Sequence, residues 1–582
     1  MMRTALPQPA FLPMSRAEMD ALGWDALDVL LVSGDAYVDH PSFGTPLIGR
    51  WLVSQGYRVG IVAQPRWDCP DDVLRMGRPL LFAGASAGAL DSMLAHTTAF
   101  RKKRHDDAYT PGGKTGARPN RACMVYTSLL HNAFPGLPVV LGGIEASLRR
   151  AVHYDFWDNA VRRPILLDAK AELVVYGMAE RAILDVARRI ESSGDAPAAK
   201  SRRRPDSLGG IPGTAFVGTE ADVPAGLPHS ALPSFEEIQA DARLLMTSTL
   251  ALERQAHRAD VWLVQAAGAR SVVIAPPAEA LSSEELDALY ALPFARAAHP
   301  SYREPIPAEE MIRFSITSHR GCAGGCSFCA LALHQTRRVR SRSAGSIVGE
   351  AAGLTKHPEW KGSISDVGGP TANMWGARCL FDPAQCERAS CLTPAICPHF
   401  QCDQSAIADL LHDVAQVSGV EHVRVASGIR YDLARRDPKY VRALVGEFTG
   451  GQLKIAPEHC AAPILKLMRK PAFRAFTEFL SVFETESKAA GKAQFVIPYL
   501  ISAFPGCTDE DMKALAKWLK ARGWTPQQVQ CFIPTPGTVA SAMFYAGIDP
   551  DGNPIPVARS DAERLRQHRI LVRTEERRKR PE

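Results

Sequence analysis

Three cysteines stand close together in the middle of the chain, in the segment Gly321-Cys322-Ala323-Gly324-Gly325-Cys326-Ser327-Phe328-Cys329. Their C-x3-C-x2-C spacing brings three thiols onto one loop, and the glycines let that loop wrap closely around a bound group. Thiolates are soft ligands that select zinc, copper(I) or iron-sulfur clusters. Zinc sites usually show a second C-x2-C pair downstream, so three ligands without a fourth favour a cluster with one open metal position.

A second group of cysteines follows the first. Of the 13 cysteines in the chain, eight lie between residues 322 and 402, and prolines interrupt the later part of this segment. We expect a loop insertion, residues 379–402, that a metal orders. The expected ligands of this auxiliary zinc or iron site are Cys379, Cys386, Cys391 and Cys397, with His399 as a further candidate and Cys402 as a less regular member. Unligated surface thiols are the alternative.

The first cysteine loop resembles the signature of the radical S-adenosylmethionine (SAM) superfamily, including the aromatic Phe328 before the last cysteine. The resemblance implies that Cys322, Cys326 and Cys329 bind three irons of a 4Fe-4S cluster, whose fourth iron is chelated by SAM. It also implies reductive cleavage of SAM to methionine and a 5'-deoxyadenosyl radical that abstracts hydrogen from a substrate. An electron donor such as flavodoxin or ferredoxin is the implied partner. The substrate and the catalytic residues stay unknown.

Further stretches resemble the parts of that superfamily that contact SAM. Gly368-Gly369-Pro370 is similar to its Gly-Gly-Glu strand end, which holds the SAM amino group through backbone carbonyls, although proline replaces glutamate here. Ser427-Gly428-Ile429-Arg430 and Ile455–His459 each end a predicted strand, where barrel enzymes place their active sites. We therefore expect Gly368, Gly369, Ser427 and Arg430 to bind SAM. An ordinary turn or strand-to-helix loop is the alternative for each stretch.

The pattern of the whole chain resembles the YgiQ-family radical SAM proteins. The matching segments are Ser33–Pro41, Gly142–Ser147, Gly368–Met374 and Pro534–Thr538. This family resemblance covers most of the chain and implies no particular substrate.

The segment before the cysteines alternates short apolar runs with helical patterns. Val29–Val32 is a predicted buried strand, Thr45-Pro46 marks a helix start, and Val59–Val62 is the next strand. This alternation predicts a parallel sheet with crossover helices. Asp39-His40 is similar to the ligand loop of cobalamin-binding domains, but its spacing does not permit His40 to be carried over as a cobalt ligand. Whether cobalamin binds stays open.

The predicted fold is α/β, with an N-terminal Rossmann-like (cobalamin-binding-like) domain followed by a partial (β/α) TIM-type radical SAM barrel. Alternating apolar residues Ile312, Phe314 and Ile316 predict the strand before the cysteine loop, and Thr508 with Asp511 predicts the capping box of a later helix. The expected boundaries are 1–25 for an N-terminal extension, 26–195 for the Rossmann-like domain, 196–307 for a linker and connecting segment, 308–545 for the barrel, and 546–582 for a polar C-terminal extension.

Composition narrows the function classes. The 582 residues are 46% hydrophobic and 22% charged, which is typical of a globular protein and excludes a disordered or fibrous chain. The net charge of +6 is small for this length and does not by itself indicate nucleic-acid binding. No apolar run is long enough to span a bilayer and no export signal is evident, so we expect a cytoplasmic protein. Two alternatives to the radical enzyme remain: a cobalamin-assisted methyltransferase and a non-catalytic, metal-stabilised RNA-binding scaffold.

Overall fold

The computed structural model describes residues 3–193, 208–526 and 529–572. The chain divides into two compact units, residues 1–313 and 314–582. Two short basic segments of the sequence, residues 202–204 and 577–580, lie outside the described residues. None of the helices in the described ranges combines the length and the apolar character needed to cross a bilayer.

The N-terminal unit is built on one nine-stranded sheet. Its strands are β1 (Val29–Ser33), β2 (Val59–Ala63), β3 (Phe82–Ser86), β4 (Val139–Gly142), β5 (Leu173–Val175), β6 (Thr214–Val217), β7 (His229–Leu232), β8 (Trp262–Ala267) and β9 (Arg270–Ile274). Their order across the sheet is β2-β1-β3-β4-β5-β6-β9-β8-β7. The first five strands are parallel, as a doubly wound α/β sheet requires.

Helices cover the sheet of this unit. They are α1 (Arg16–Ala21), α2 (Gly44–Ser54), α3 (Asp71–Leu74), α4 (Ser92–His96), α5 (Ala122–Ala133), α6 (Gly143–Leu148), α7 (Ile165–Ala169), α8 (Glu180–Ser193), α9 (Phe235–Ala240), α10 (Leu244–Arg258), α11 (Ser283–Tyr290) and α12 (Pro307–Ile312). The predicted strand and helix near Val29 and Thr45 are confirmed, although α2 begins at Gly44 with Phe43 as its N-cap. Every residue of β1 is buried, as expected for a continuous apolar run.

The boundary expected at residue 195 differs from the structure. Four strands within 196–307 extend the same sheet, and the N-terminal unit ends at Arg313. β6 pairs antiparallel with β5, and β9 pairs antiparallel with β6. The strands β6 to β9 are four to six residues long and partly exposed, so their hydrophobic pattern is weaker than that of β1 to β5.

The C-terminal unit contains strands that pair in parallel. They are β10 (Ser315–Thr317), β11 (Ser363–Ile364), β12 (Asp366–Gly368), β13 (His422–Val423), β14 (Gln452–Glu458), β15 (Phe495–Ser502) and β16 (Gln530–Cys531). β10 pairs with β12, β11 with β13, and β14 with β15, which pairs in turn with β16. A single parallel bridge from Ile429 to Ile455 links the segment after β13 to β14. The whole protein is therefore a mixed α/β fold with mainly parallel strands.

The helices of this unit alternate with its strands. They are α13 (Leu331–His334), α14 (Ala344–Leu354), α15 (Gln404–Ala415), α16 (Tyr431–Ala434), α17 (Pro438–Ala443), α18 (Ala462–Met468), α19 (Phe473–Ala489), α20 (Asp509–Ala521), α21 (Val539–Ala546) and α22 (Asp561–Leu571). The capping box predicted for Thr508 and Asp511 is confirmed at the start of α20.

Two expectations for this region were wrong. Ile312 ends helix α12 and belongs to no strand, because Pro307 occupies the first helical turn and the strand begins only at Ser315. The segment from residue 546, expected as a separate polar extension, is instead part of this unit and packs on it as far as it is described. Within α22, Arg564 is fully buried and the Gln567 side-chain amide donates to the carbonyl of Cys507 at 3.0 Å.

Candidate cluster and cofactor site

The cysteine loop follows β10 and is packed against other backbone on two sides. Gly321 and Gly325 have φ values of +84° and +57°, which favour glycine. A Cβ atom at Gly321 would lie 2.4 Å from the Arg338 carbonyl oxygen, and one at Gly325 would lie 2.3 Å from that of Ala389. These glycines are therefore needed both for the turn of the loop and for its close contact with neighbouring segments.

Two helices hold the other half of the loop through Ser327. Its hydroxyl donates to the carbonyl of Leu467 at 2.6 Å, and its backbone N–H donates to that of Met468 at 3.2 Å. The Ala540 N–H donates in turn to the Ser327 carbonyl at 2.9 Å. The C-terminal end of α18 and the start of α21 thus fix the loop between Cys326 and Cys329.

The three thiols of the loop suit a metal cluster. Burial and the neighbouring thiols of Cys326 and Cys322 raise the pKa of Cys329 to about 12, and burial with Cys326 raises the pKa of Cys322. Across the described residues, no group of three or more His, Cys, Asp and Glu side chains is arranged to hold a metal ion. Thiolates are the ligands of iron-sulfur clusters, in which each cysteine binds a different iron.

A buried arginine lies directly against this loop. Arg430 Nη1 is 3.9 Å from Cys326 Sγ, while Nε and Nη2 donate to the two carboxylate oxygens of Asp432 at 2.8 and 2.7 Å. Burial opposes the charge on Arg430, but Asp432 and the thiols outweigh it and raise the pKa of the guanidinium. Burial alone would raise the pKa of Asp432, but Arg430 lowers this pKa by more, so that it falls below its ordinary value. The pair is therefore ionised and adjacent to the cluster loop.

The Gly-Gly strand end lies at the carboxyl end of β12, with no space for side chains. A Cβ atom at Gly368 would lie 2.2 Å from Ser427 Oγ, and one at Gly369 would lie 2.7 Å from the His319 ring. The Gly368 carbonyl already accepts the Ser318 N–H at 2.7 Å. This leaves the exposed Ser427 and the backbone of Gly369 better placed than the Gly368 carbonyl to contact a ligand.

Polar side chains join the predicted SAM-binding residues to one another. Asp366 accepts the N–H groups of Ala426 and Ser427 at 2.7 and 3.1 Å. The Asn373 side chain accepts from the Arg430 N–H at 2.7 Å and donates to the Arg430 carbonyl at 3.0 Å. The structure therefore brings Gly368, Gly369, Ser427 and Arg430 together beside the cysteine loop.

A second buried ion pair ends β14. Glu458 lies within the predicted stretch Ile455–His459 and has a φ of +67°, and its carboxylate is 3.6 Å from Lys470 Nζ. Burial raises the pKa of Glu458, with Lys470 opposing the shift. Glu458 also contributes to the raised pKa of Cys329. Sequence reasoning missed Lys470, since a lysine after a short helix carries no local signal.

The cysteine-rich insertion contacts the cluster loop directly. The Cys391 N–H donates to the Ala323 carbonyl at 3.1 Å, and the Ser390 hydroxyl donates to the Gly324 carbonyl at 2.6 Å. Burial raises the pKa of Cys391 to about 11, opposed by Arg337 and assisted by three nearby thiols, namely those of Cys379, Cys386 and Cys397.

Two other candidates in the insertion have further contacts of their own. The Cys402 thiol contacts the Asn373 carbonyl at 3.5 Å, and Gln404 donates to it at 3.2 Å. The His399 ring packs on Phe381 with centroids 4.9 Å apart. The thiols that raise the pKa of Cys391 are those of Cys379, Cys386 and Cys397, and among the described residues no three such side chains are arranged around one ion.

In the N-terminal unit, structural contacts occupy both ring nitrogens of His40. His40 is fully buried, its Nδ1 accepts the Ser42 N–H at 3.0 Å, and its Nε2 is 3.0 Å from Arg296 Nη1. Burial and Arg296 hold the pKa of His40 well below its ordinary value. These contacts do not fit a cobalt ligand. The preceding Asp39 forms a fully buried ion pair with Arg50.

The crevice between β1 and β3, where a sheet with this strand order binds ligands, is filled. A Cβ atom at Gly34 would lie 2.3 Å from the Ala87 carbonyl oxygen. Arg118 donates to that oxygen at 2.6 Å and pairs with Asp35 at 2.9 Å. Burial raises the pKa of Asp35 to about 6, and Arg118 opposes that shift.

Comparison with known proteins gives consistent matches. The family model described as Radical SAM N-terminal matches residues 11–315. A UPF0313 protein of Geobacter sulfurreducens is 50% identical over 569 residues, covering 97% of this chain and 92% of that protein. The UPF0313 protein YgiQ of Escherichia coli is 42% identical, covering 97% and 84% respectively.

A solved structure shares the fold at much lower sequence identity. It is the radical SAM methyltransferase TsrM of Kitasatospora setae with cobalamin and a 4Fe-4S cluster bound. The match has a TM-score of 0.52 and 15% identity, and covers 93% of this chain and 85% of that one.

Replacing Gly369 by alanine tests the close packing of the Gly-Gly strand end. Because the added Cβ would meet the His319 ring and carbonyl oxygen at 2.7 Å, we expect a loss of about 1–3 kcal/mol in the free energy of unfolding. Gly349→Ala is the matched control, since its Cβ meets nothing within 4 Å in α14. That change should stabilise by about 0.5–1 kcal/mol. Urea unfolding measures both, and equal stability of the two variants would contradict the packing.

Proposed function

The chain belongs to the UPF0313 (YgiQ) family of radical SAM proteins, and from this premise we propose that it is a radical SAM enzyme acting on an as yet unknown substrate. Cys322, Cys326 and Cys329 would hold a 4Fe-4S cluster, and Gly369 and Ser427 would contact SAM beside it, with Gly368 shaping the strand end. The parallel strands β10 to β16 would form the partial (β/α) barrel that carries the site. The bound cluster and SAM would supply a 5'-deoxyadenosyl radical for hydrogen abstraction.

One observation carries this proposal: three thiols on one tightly held loop lie beside a Gly-Gly strand end within the same unit. Arg469 Nη1 donates to the Gly325 carbonyl at 3.2 Å, and the contacts of Ser327 and Cys391 hold other carbonyls of the loop. Rigid support of this kind is what a preorganised cofactor site needs. The chain's own residues would thus orient the cluster ligands, while an external low-potential donor such as flavodoxin or ferredoxin would supply the electron.

We further propose a second metal, zinc or iron, on Cys379, Cys386, Cys391 and Cys397. The effect of the other three thiols on the pKa of Cys391 supports it. Metal binding can order a loop of this kind, because the free energy of binding contributes to folding. This metal would stiffen the insertion whose Ser390 and Cys391 contact the cluster loop.

Cobalamin-assisted methyl transfer is a second candidate, favoured by the shared fold with a methyltransferase that binds cobalamin. The contacts of His40 and the close packing beside Gly34 do not fit that cofactor. Anaerobic purification from cells supplied with cobalamin tests this candidate. Corrin absorbance that copurifies with the protein would support it, and an iron-loaded protein without that absorbance would reject it.

Cys326→Ala tests the proposed enzyme. After anaerobic reconstitution, we expect the variant to lose about four irons relative to the unaltered protein, because one of three cluster ligands is gone. Formation of 5'-deoxyadenosine from SAM with dithionite should disappear with the iron. Cys531→Ala, which removes a buried thiol elsewhere in the unit, should keep both. An unaltered protein that binds only zinc and cleaves no SAM would sink the proposal.

Cys379→Ser tests the second metal with little disturbance of packing, since Cys379 is exposed. We expect it to lose the additional zinc or iron while keeping about four irons on the first loop. Cys402→Ser is the control because the Cys402 thiol is engaged by the Asn373 carbonyl and Gln404, and it should lose neither. Elemental analysis that finds no metal beyond the first cluster in the unaltered protein would refute the second site.

A further inference from the structure

Arg430 occupies a position against the cluster ligands that its expected contact with SAM does not explain. Its side chain is only 7% exposed and that of Asp432 only 8%. Both oxygens of Asp432 bind the Nε and Nη2 side of the guanidinium. The third nitrogen, Nη1, therefore points away from Asp432 and lies 3.9 Å from Cys326 Sγ, within the longer reach of a sulfur acceptor.

The absence of a side chain at Gly324 makes this approach possible. A Cβ atom there would lie 3.1 Å from Arg430 Nη1, 3.4 Å from Cys322 Sγ and 3.7 Å from Cys326 Sγ. The guanidinium and two ligand sulfurs thus surround the same glycine. Any larger residue would stand between the cation and the sulfurs.

The backbone of Arg430 is held as firmly as its side chain. Asn373 is fully buried and bonds both the N–H and the carbonyl of Arg430, while Gln404 fixes the Asn373 amide at 2.8 Å. Both ends of the arginine are therefore fixed, and its Nη1 has little freedom to turn toward another partner.

We infer that Arg430 tunes the reduction potential of the cluster by donating an N–H to the Cys326 sulfur and placing a fixed positive charge beside it. Hydrogen bonds to ligand sulfurs and net charge are two of the factors that set the potential of iron-sulfur clusters. Reduction adds one negative charge to the cluster, so a neighbouring cation stabilises the reduced form more than the oxidised form. The electron comes from the external donor, and no bond is made or broken at Arg430.

This inference rests on the proposed cluster at Cys322, Cys326 and Cys329. It assigns Arg430 to the cluster as a positioning and electrostatic residue. The competing role, a contact to the SAM carboxylate, would leave the potential of the SAM-free cluster unaffected by Arg430.

The experiment is an anaerobic redox titration of the reconstituted, SAM-free protein, followed by electron paramagnetic resonance of the reduced cluster. Arg430→Gln removes the charge and should lower the ratio of reduced to oxidised cluster at a given potential by about tenfold, or about 59 mV for one electron. Asp432→Asn keeps the cation and removes its counter-ion, so its potential should stay the same or rise. Iron content is measured in each sample.

The outcomes separate the inference from the proposed function. Arg430→Gln with a full iron load and an unchanged potential overturns the inference alone, and a loss of SAM affinity in that variant would then assign Arg430 to SAM. An equal fall in Asp432→Asn also overturns it, since the shift would come from breaking the ion pair. An unaltered protein that binds no iron overturns the proposed function instead.

Gly324→Ala provides a second test if Arg430→Gln does not retain its iron. It keeps both charges but places a methyl group 3.1 Å from Nη1, which should push the guanidinium away from the sulfurs. A smaller fall in potential of the same sign supports the inference, and an unchanged potential in the iron-loaded variant overturns it.

Discussion

The site depends on one constraint, the close packing of a backbone loop that carries three partly buried cysteines. Its peptide groups are bonded by four segments: residues 335–336, the end of α18, the start of α21, and the insertion at Ser390 and Cys391. Gly321 and Gly325 permit this packing because a Cβ at either would overlap a neighbouring carbonyl. Buried backbone groups must be paired, so the same hydrogen bonds that satisfy the loop also fix the directions of its cysteines.

Buried charge is the second feature of this unit. Arg430 with Asp432 and Lys470 with Glu458 are ion pairs that the protein keeps out of water near the thiols. Burying charges costs stability unless they are paired and well bonded, and here both pairs lie in the same unit as the cysteine loop. The fold thus maintains a local electrostatic field at the loop, which a hydrophobic core of the same volume would not supply.

The N-terminal unit uses buried charge differently. Asp39 with Arg50, and Asp35 with Arg118 and Asp107, form paired networks at the positions where an open α/β sheet often admits a ligand. Ala87 and Arg118 fill the space beside Gly34. The parallel sheet has the strand order of a ligand-binding fold, while its side chains close the crevice, which shows that this architecture alone does not identify a ligand.

The sequence by itself determined the features encoded by local spacing. Cys322, Cys326 and Cys329 are near neighbours in the chain, β1 and β2 are continuous apolar runs, and the capping box of α20 spans four residues. Only the tertiary structure decided that β6 to β9 extend the N-terminal sheet and that α22 packs onto α20 of the C-terminal unit. It also decided that Arg430 contacts Cys326, which lies 104 residues away in the chain. Hydrophobic periodicity and motif spacing report on local backbone geometry, whereas contacts between distant residues depend on how the elements pack, for which a single arginine, lysine or serine leaves no pattern in the sequence.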